Sequence, residues 1–242
     1  MHLNSKVIIS YNLLVKYNIQ IGHYKKFWNT TNSLYIYGIR TGFFYINLLY
    51  TWYNLRKLLK FIINLAERKK LIWIINNKSP LSLGVRHCLK NLFFKSKNNF
   101  LEHKWIPGLF TNFWQKIAYV KKTKIYFGFN SFRKIPSLVW SLSWPDYCPN
   151  WVIAECLKLN IPSASLVDTN QNPFGIAYPI ASNNDNLNTI LFFCILIKKA
   201  ILIGFLRRIL RFNCKKECLF LKLKFKNKEI NNFKLKFKNK NK

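Results

Sequence analysis

The order of apolar segments along this 242-residue chain predicts an α/β fold with a central, mainly parallel sheet flanked by helices. Two observations carry the expectation. Short apolar runs alternate with segments of roughly 10–20 residues whose hydrophobic positions recur at helical spacing. In addition, residues 71–75 (Leu-Ile-Trp-Ile-Ile) are apolar throughout, the mark of a parallel strand covered on both faces.

Taken in order, residues 43–50 are rich in β-formers and read as a buried strand. Thr51 follows as the N-cap of a helix in which Leu55, Leu58, Leu59, Ile62, Ile63 and Ala66 recur at helical spacing, up to the basic end Arg68-Lys69-Lys70. After the strand at 71–75, residues 76–80 turn into a helix through Leu92. The stretch 137–142 is a further apolar run, 151–159 a helix, and 161–167 a strand ending at Asp168-Thr169-Asn170. Residues 187–206 close as a helix. Lys198-Lys199 interrupts it, so neither flank reaches the ~18 apolar residues that span a bilayer, and no membrane span is expected. The tail from 219 alternates Phe or Leu with Lys, which reads as a strand with a basic face or as an extended arm that orders on its partner. In sheets of this kind, partner contacts gather beyond the carboxyl ends of the strands.

Charge bears on the class of partner. Forty Lys and Arg against eight Asp and Glu give +32, a self-repulsion that opposes compaction until a polyanion neutralises it. Hydrophobic residues at 50% and aromatics at 17% exclude a wholly disordered chain. Six cysteines at irregular spacings make no disulfide framework. Residues 134–200 hold four basic and four acidic side chains, whereas 201–242 hold fourteen and two. A neutral scaffold between two basic segments follows, with polyanion contacts in the first half and the tail. The abundance of Lys, Asn, Ile and Phe fits an AT-rich coding sequence such as an organelle genome's. The N-terminal twenty residues show neither transit-peptide nor signal-peptide character, so the protein is expected to be made where it works or to be cytosolic.

Signatures of catalysis are missing. The chain has no G-x-G-x-x-G, P-loop, G-x-S-x-G or H-E-x-x-H motif, and no acid pair close in sequence. His23 and His87-Cys88 read as structural, and Cys214 with Cys218 lacks the second pair that a zinc site needs. Neither a metal nor a cofactor is expected.

The more specific signal lies in ordered blocks. Glu155-Cys-Leu-Lys158-Leu-Asn-Ile-Pro162, then Val167-Asp168-Thr169-Asn170-Gln-Asn-Pro173, then Tyr178-Pro179-Ile180 and Asn183-Asn184-Asp185 resemble the signature of the bacterial-type ribosomal protein uS2 family. Gly22-His23, Trp28-Asn29, the segment Tyr37-Gly38-Ile39-Arg40-Thr41-Gly42, and Trp105-Ile-Pro-Gly108-Leu-Phe-Thr111-Asn112-Phe113 match the family's N-terminal blocks in order. The chain departs from the pattern at Asn47 and Asn184, where the family has Asp, at Pro107 for the first Gly, and at Ser137 for Asp. About twenty residues (115–135) stand where the family inserts a long helical hairpin, so the hairpin is expected to be shortened or absent.

The resemblance implies a three-layer α/β/α domain of flavodoxin- or Rossmann-like type over 1–205, with a basic extension at 206–242. It implies a structural, non-enzymatic constituent of the small ribosomal subunit, bracing rRNA and neighbouring ribosomal proteins at the head–body junction, with no small-molecule substrate. The compartment expected is the mitochondrion, with the plastid second. Two basic, aromatic groups suit phosphate contact and stacking: His23, Lys25, Lys26, Trp28, Asn29 and Arg40, and then Lys104, Trp105, Thr111 and Asn112. Arg207, Arg208, Arg211, Lys215 and Lys216 extend the basic surface into the tail. Asp168, Thr169, Asn170, Pro173, Tyr178, Pro179, Asn183 and Asp185 read as structural: Asp168 and Asn170 accept backbone N–H groups, Tyr178-Pro179 makes an extended turn, and Asn183 or Asp185 caps the last helix. The rival readings are an α/β enzyme, which would need a phosphate-cradling glycine loop, and a basic protein lying on anionic lipid through its tail.

Overall fold

The computed structural model describes residues 9–75, 99–101, 105–112, 115, 135–142 and 151–238, with side chains described up to residue 212 apart from 99–101. A short helix α1 (Tyr11–Lys16) leads into β1 (Ile21–Tyr24), 3-10 turns at Lys25–Phe27 and Thr30–Tyr35, and the hairpin β2 (Ile36–Arg40) and β3 (Phe43–Ile46). These strands form an antiparallel sheet in the order β1-β3-β2. Thr41 and Gly42 join the hairpin with both φ positive (51° and 83°), a two-residue turn whose twist matches that of the flanking strands.

The strand expected over 43–50 therefore ends at Ile46, and helix α2 (Leu48–Glu67) starts earlier than Thr51. Asn47 is the cap: its Oδ1 accepts the Leu49 N–H at 3.0 Å, meeting an orphan donor of the first turn. Thr51 sits buried inside the helix and donates its hydroxyl to the Ala181 carbonyl at 2.6 Å.

The main sheet has five parallel strands in the order β5-β4-β6-β7-β8: β4 (Ile72–Ile75), β5 (Asn99–Leu101), β6 (Leu138–Ser141), β7 (Ser163–Val167) and β8 (Tyr178–Ala181). Every residue of β4, β6 and β7 is buried, as their continuous apolar or small side chains require. Tyr178-Pro179 was expected to make a turn. It instead opens edge strand β8, whose position tolerates a residue without an N–H, and the Pro179 carbonyl accepts from Asn54 Nδ2 at 2.9 Å. The expected turn and helix over 76–92, the interior of 115–135, and His87-Cys88 lie outside the described residues.

Helices cover both faces. On one, α2 and the helix α4 (Leu187–Lys238) pack Leu55, Leu58, Ile62, Phe193, Ile197 and Ile201 onto Ile72, Ile74, Trp140, Leu166 and Ile180. On the other, α3 (Trp151–Lys158) and the segment 105–110 cover Trp73, Ile75, Val139 and Val167. The arrangement is the expected three-layer α/β/α fold. Where α2 and α4 cross, a Cβ on Gly204 would lie 2.6 Å from both the Ala66 Cβ and the Ile63 carbonyl oxygen, so only glycine permits the approach.

Two expectations about α4 are corrected. The last helix does not stop at 206, nor does the Lys-rich tail form a strand: α4 runs unbroken to Lys238, across the expected 205/206 boundary. Lys and Leu favour helix, and no Gly or Pro interrupts 205–238. By length and composition, Leu187–Phe212 would also pass as a membrane span despite Lys198-Lys199, yet more than half of its most apolar window is buried within the fold. Its cap is Asn186, whose Oδ1 accepts the Asn188 N–H at 3.0 Å, and not Asn183 or Asp185. Asn183 Oδ1 closes the preceding turn by accepting from the N–H groups of Asp185 and Asn186.

Candidate nucleic-acid interface

The loop that leaves the carboxyl end of β7 is built around one buried carboxylate. Asp168 Oδ1 accepts the Thr169 N–H (2.6 Å) and the Thr169 hydroxyl (3.2 Å), while Oδ2 accepts the Asn184 N–H from the loop after β8 (3.3 Å). Strand β1 closes on this loop because Gly22 has no side chain: a Cβ there would sit 2.5 Å from Thr169 Cγ2. The His23 N–H then reaches Thr169 Oγ1 at 2.8 Å. Asn29 N–H donates to the Thr169 carbonyl (2.9 Å), and the buried Asn32 Nδ2 donates to the carbonyls of Asp168 (3.0 Å), Thr169 (3.1 Å) and Gln171. The separated blocks at 22–32, 168–171 and 183–185 thus meet in one hydrogen-bonded knot. Through these bonds Asp168 shapes the loop.

His23 does not play its expected role. Nδ1 lies 3.1 Å from Asp168 Oδ1 and Nε2 lies 3.0 Å from Asp185 Oδ2. The hydrogen bond to Asp168 and then that to Asp185 raise its pKa from 6.5 to about 10 against the opposing effect of burial, so it is an imidazolium at neutral pH. With both ring nitrogens held by carboxylates, His23 stitches the knot together and is not free for a phosphate. Without that proton, one imidazole nitrogen and two carboxylate oxygens within 4.8 Å of one another make a donor set suited to a divalent cation such as zinc. No spacing rule could have shown this, since the three groups lie far apart in sequence.

The N-terminal segment around the knot is basic. Residues 1–66 contain no Asp or Glu at all. Lys25 and Lys26 are exposed on their 3-10 turn, Arg40 is exposed at the end of β2, and Trp28 is 38% exposed with its ring tilted on Phe44 at 5.1 Å between centroids. Asn29 Oδ1 is occupied as a cap, accepting from the Thr31 N–H at 3.0 Å.

The second expected group divides. Trp105, a stacking residue by the sequence pattern, is instead a core residue at 9% exposure, its indole N–H donating to Glu155 Oε1 at 3.0 Å and its ring edge-on to Phe110. Glu155, buried on α3, also accepts the N–H groups of Gly108 (2.7 Å), Phe110 (2.8 Å) and Thr111 (3.4 Å), and so holds the whole 105–111 loop. Its scarcity as an acid in so basic a chain was the available signal. Thr111 and Asn112 stay exposed at the tip, whereas Lys104 lies outside the described residues. On α4, Arg207 and Arg208 are half-buried and Arg211 is exposed but pairs with Glu67 at 2.5 Å. Lys215 and Lys216 continue the helix, their side chains outside the described residues. Asn170 is half-buried, Pro173 lies in the loop before β8, and Tyr178 stacks on Phe61 at 5.4 Å between centroids.

Comparison with known proteins finds matches over most of the chain. The family model described as "Ribosomal protein S2" matches residues 14–129 and 116–204. The chain is 27% identical over 218 residues to the small ribosomal subunit protein uS2c of Euglena longa, covering 77% of this chain and 89% of that one. It is 27% identical to uS2 of Chlamydia abortus (strain DSM 27085 / S26/3), covering 78% and 77%. It is 26% identical to uS2m of Acanthamoeba castellanii, covering 81% of this chain but 59% of that longer protein.

Proposed function

The chain belongs to the ribosomal protein S2 family, and from that premise we propose that it is a structural protein of the small subunit of a mitochondrial ribosome, binding rRNA and neighbouring proteins at the head–body junction. The family is structural, and the chain is not an enzyme. The observation that carries the rRNA reading is the pairing of a hydrogen-bonded scaffold with an N-terminal segment that is basic and acid-free, the nearby exposed Asp185 being held by His23. The Asp168 knot fixes β1 and its following turn, so that Lys25, Lys26 and Arg40 project from a segment that holds no carboxylate before Glu67. Exposed cations held at fixed separations neutralise phosphates with release of counterions and recognise the shape of folded RNA. Residues 206–242, with fourteen of the forty basic side chains, act as a basic extension that α4 carries on from the fold and that the Arg211–Glu67 pair still ties to α2.

The mitochondrial assignment rests on the Lys-, Asn-, Ile- and Phe-rich composition that an AT-rich organelle genome produces. Relatives named for plastid and mitochondrial small subunits both align at similar identity. Sedimentation of the tagged chain from fractionated cells tests all levels of the reading. Recovery with salt-washed small subunits of the mitochondrial fraction is the expected result. Recovery with plastid particles would change the compartment, and recovery with anionic lipid vesicles would overturn the ribosomal assignment.

A further inference from the structure

The three-stranded sheet has one face turned inward and one left open. Phe44 and Ile46 bury their side chains on the inner face, and Trp28 lies over Phe44. Cross-strand partners in an antiparallel pair project to the same side. The register Tyr24–Phe43–Arg40 and Ile21–Tyr45–Gly38 therefore places Tyr24, Phe43, Tyr45 and Arg40 together on the outer face. Tyr24 is 50% and Phe43 40% exposed, the two rings meeting edge-on at 4.8 Å between centroids, and Arg40 is exposed beside them. At Gly38 a Cβ would meet nothing within 4 Å, so a bare gap stands next to Arg40 along β2 and across from Tyr45, on an edge strand open to solvent. Lys25 follows Tyr24 directly, its N–H bonded to the Gly42 carbonyl at 2.9 Å.

Such a surface has aromatic rings, a planar guanidinium, a side-chain-free gap and no carboxylate in its segment. Flat, electron-rich rings attached to a polyanion fit it; an acidic protein would satisfy the charge but not the exposed ring faces. We infer that this outer face is a stacking platform for unpaired nucleotides, with a base entering the gap over Gly38 between Arg40 and Tyr45, a second packing on Tyr24 and Phe43, and Lys25 and Lys26 meeting the phosphates. A duplex keeps its base faces buried in its own stack, so the platform selects single-stranded rRNA. The inference rests on the rRNA-binding reading above and specifies which RNA the small sheet takes.

The test compares the full chain with Phe43→Ala, Tyr24→Ala and Gly38→Val for affinity to a labelled oligouridine, to an RNA duplex and to small-subunit rRNA. Melting temperature reports folding. Gly38→Val keeps every ring and suits a strand while filling the gap, which matters because Tyr24 also covers the turn glycine Gly42 and its truncation can loosen the hairpin. Each folded variant is expected to bind oligouridine roughly 5- to 30-fold more weakly, the equivalent of about 1–2 kcal/mol for one lost base stack. The salt slope and duplex binding stay unchanged, since no charge is removed. Unaltered oligouridine affinity in folded Gly38→Val and Phe43→Ala overturns the platform while leaving rRNA binding intact. A wild-type chain that binds no small-subunit rRNA overturns the underlying reading instead.

Discussion

His23 shows how one side chain's meaning depends on partners far away in sequence. In the unfolded chain its pKa is the ordinary 6.5, whereas folded it is raised to about 10 by Asp168 and Asp185. The folded state thus holds the proton more tightly, and the stabilisation is complete below about pH 6.5 and lost as pH rises through about 10. With a chelator present so that no cation competes with the proton, the melting temperature should fall steadily across that range, and His23→Gln should flatten the fall. Parallel pH profiles for the two proteins would remove His23 from the stabilising knot. Asp168→Ala should cost about 2 kcal/mol in unfolding experiments, because the Thr169 and Asn184 N–H groups lose a buried acceptor. Glu155→Ala should cost more, about 3 kcal/mol, leaving the Trp105 indole and the Gly108 and Phe110 N–H groups without theirs. At this scale the sequence was half legible. Asp168 follows a strand directly, and that placement alone indicates loop-shaping. His23 and Trp105 sit among lysines in sequence and were read with them, although each is turned towards a carboxylate about 50 or more residues away.

Elements were easier to read where burial makes the pattern continuous. Strands β4, β6 and β7 and helices α2 and α3 follow from apolar runs and helical spacing that any such sheet imposes. The three-stranded sheet, apart from β3 within the run 43–50, escaped notice because its open face interrupts the apolar pattern and its turn signal is Thr41-Gly42 rather than Asn-Gly. The tail misled in the other direction: alternating Lys with Leu or Phe has the period of a strand, yet its residues favour helix and α4 simply continues. Gly204 gives a prediction that sets two effects against each other. Replacing it by Ala gains up to ~1 kcal/mol of helix propensity. The added methyl, however, must enter a crossing where 2.6 Å separates it from Ala66 and Ile63, an overpacking cost of about 1–3 kcal/mol. Gly204→Ala should therefore lower the melting temperature. A rise would show that α2 and α4 can move apart at no cost.

For the whole molecule, charge is spread unevenly over the fold: residues 134–200, with no net charge, build much of the sheet, and the proposed polyanion contacts lie in the basic segments on either side. The uneven charge is legible in the sequence alone. The end of the packed part is not, because Arg211 still pairs with Glu67 beyond the expected boundary at 205. A deletion that spares this pair, removing 213–242, takes away eleven lysines and two glutamates. It should leave the core folded and lower the salt slope of rRNA binding by roughly 3–6 units, since only some of those charges reach phosphates at once.

The central claim is that exposed cations on a structurally fixed knot, rather than the knot itself, hold the RNA. The salt dependence of affinity for small-subunit rRNA tests it most directly, measured for the full chain, for Asp168→Ala and for Lys25→Gln/Lys26→Gln. The double lysine variant should melt like the wild type and lose roughly 1.5 units of slope, at 0.7–0.9 per phosphate contact. Asp168→Ala should melt earlier but, below its melting temperature, keep the full slope. An unchanged slope in the lysine variant, or a slope lost in folded Asp168→Ala, would contradict the claim and move the RNA contact into the knot.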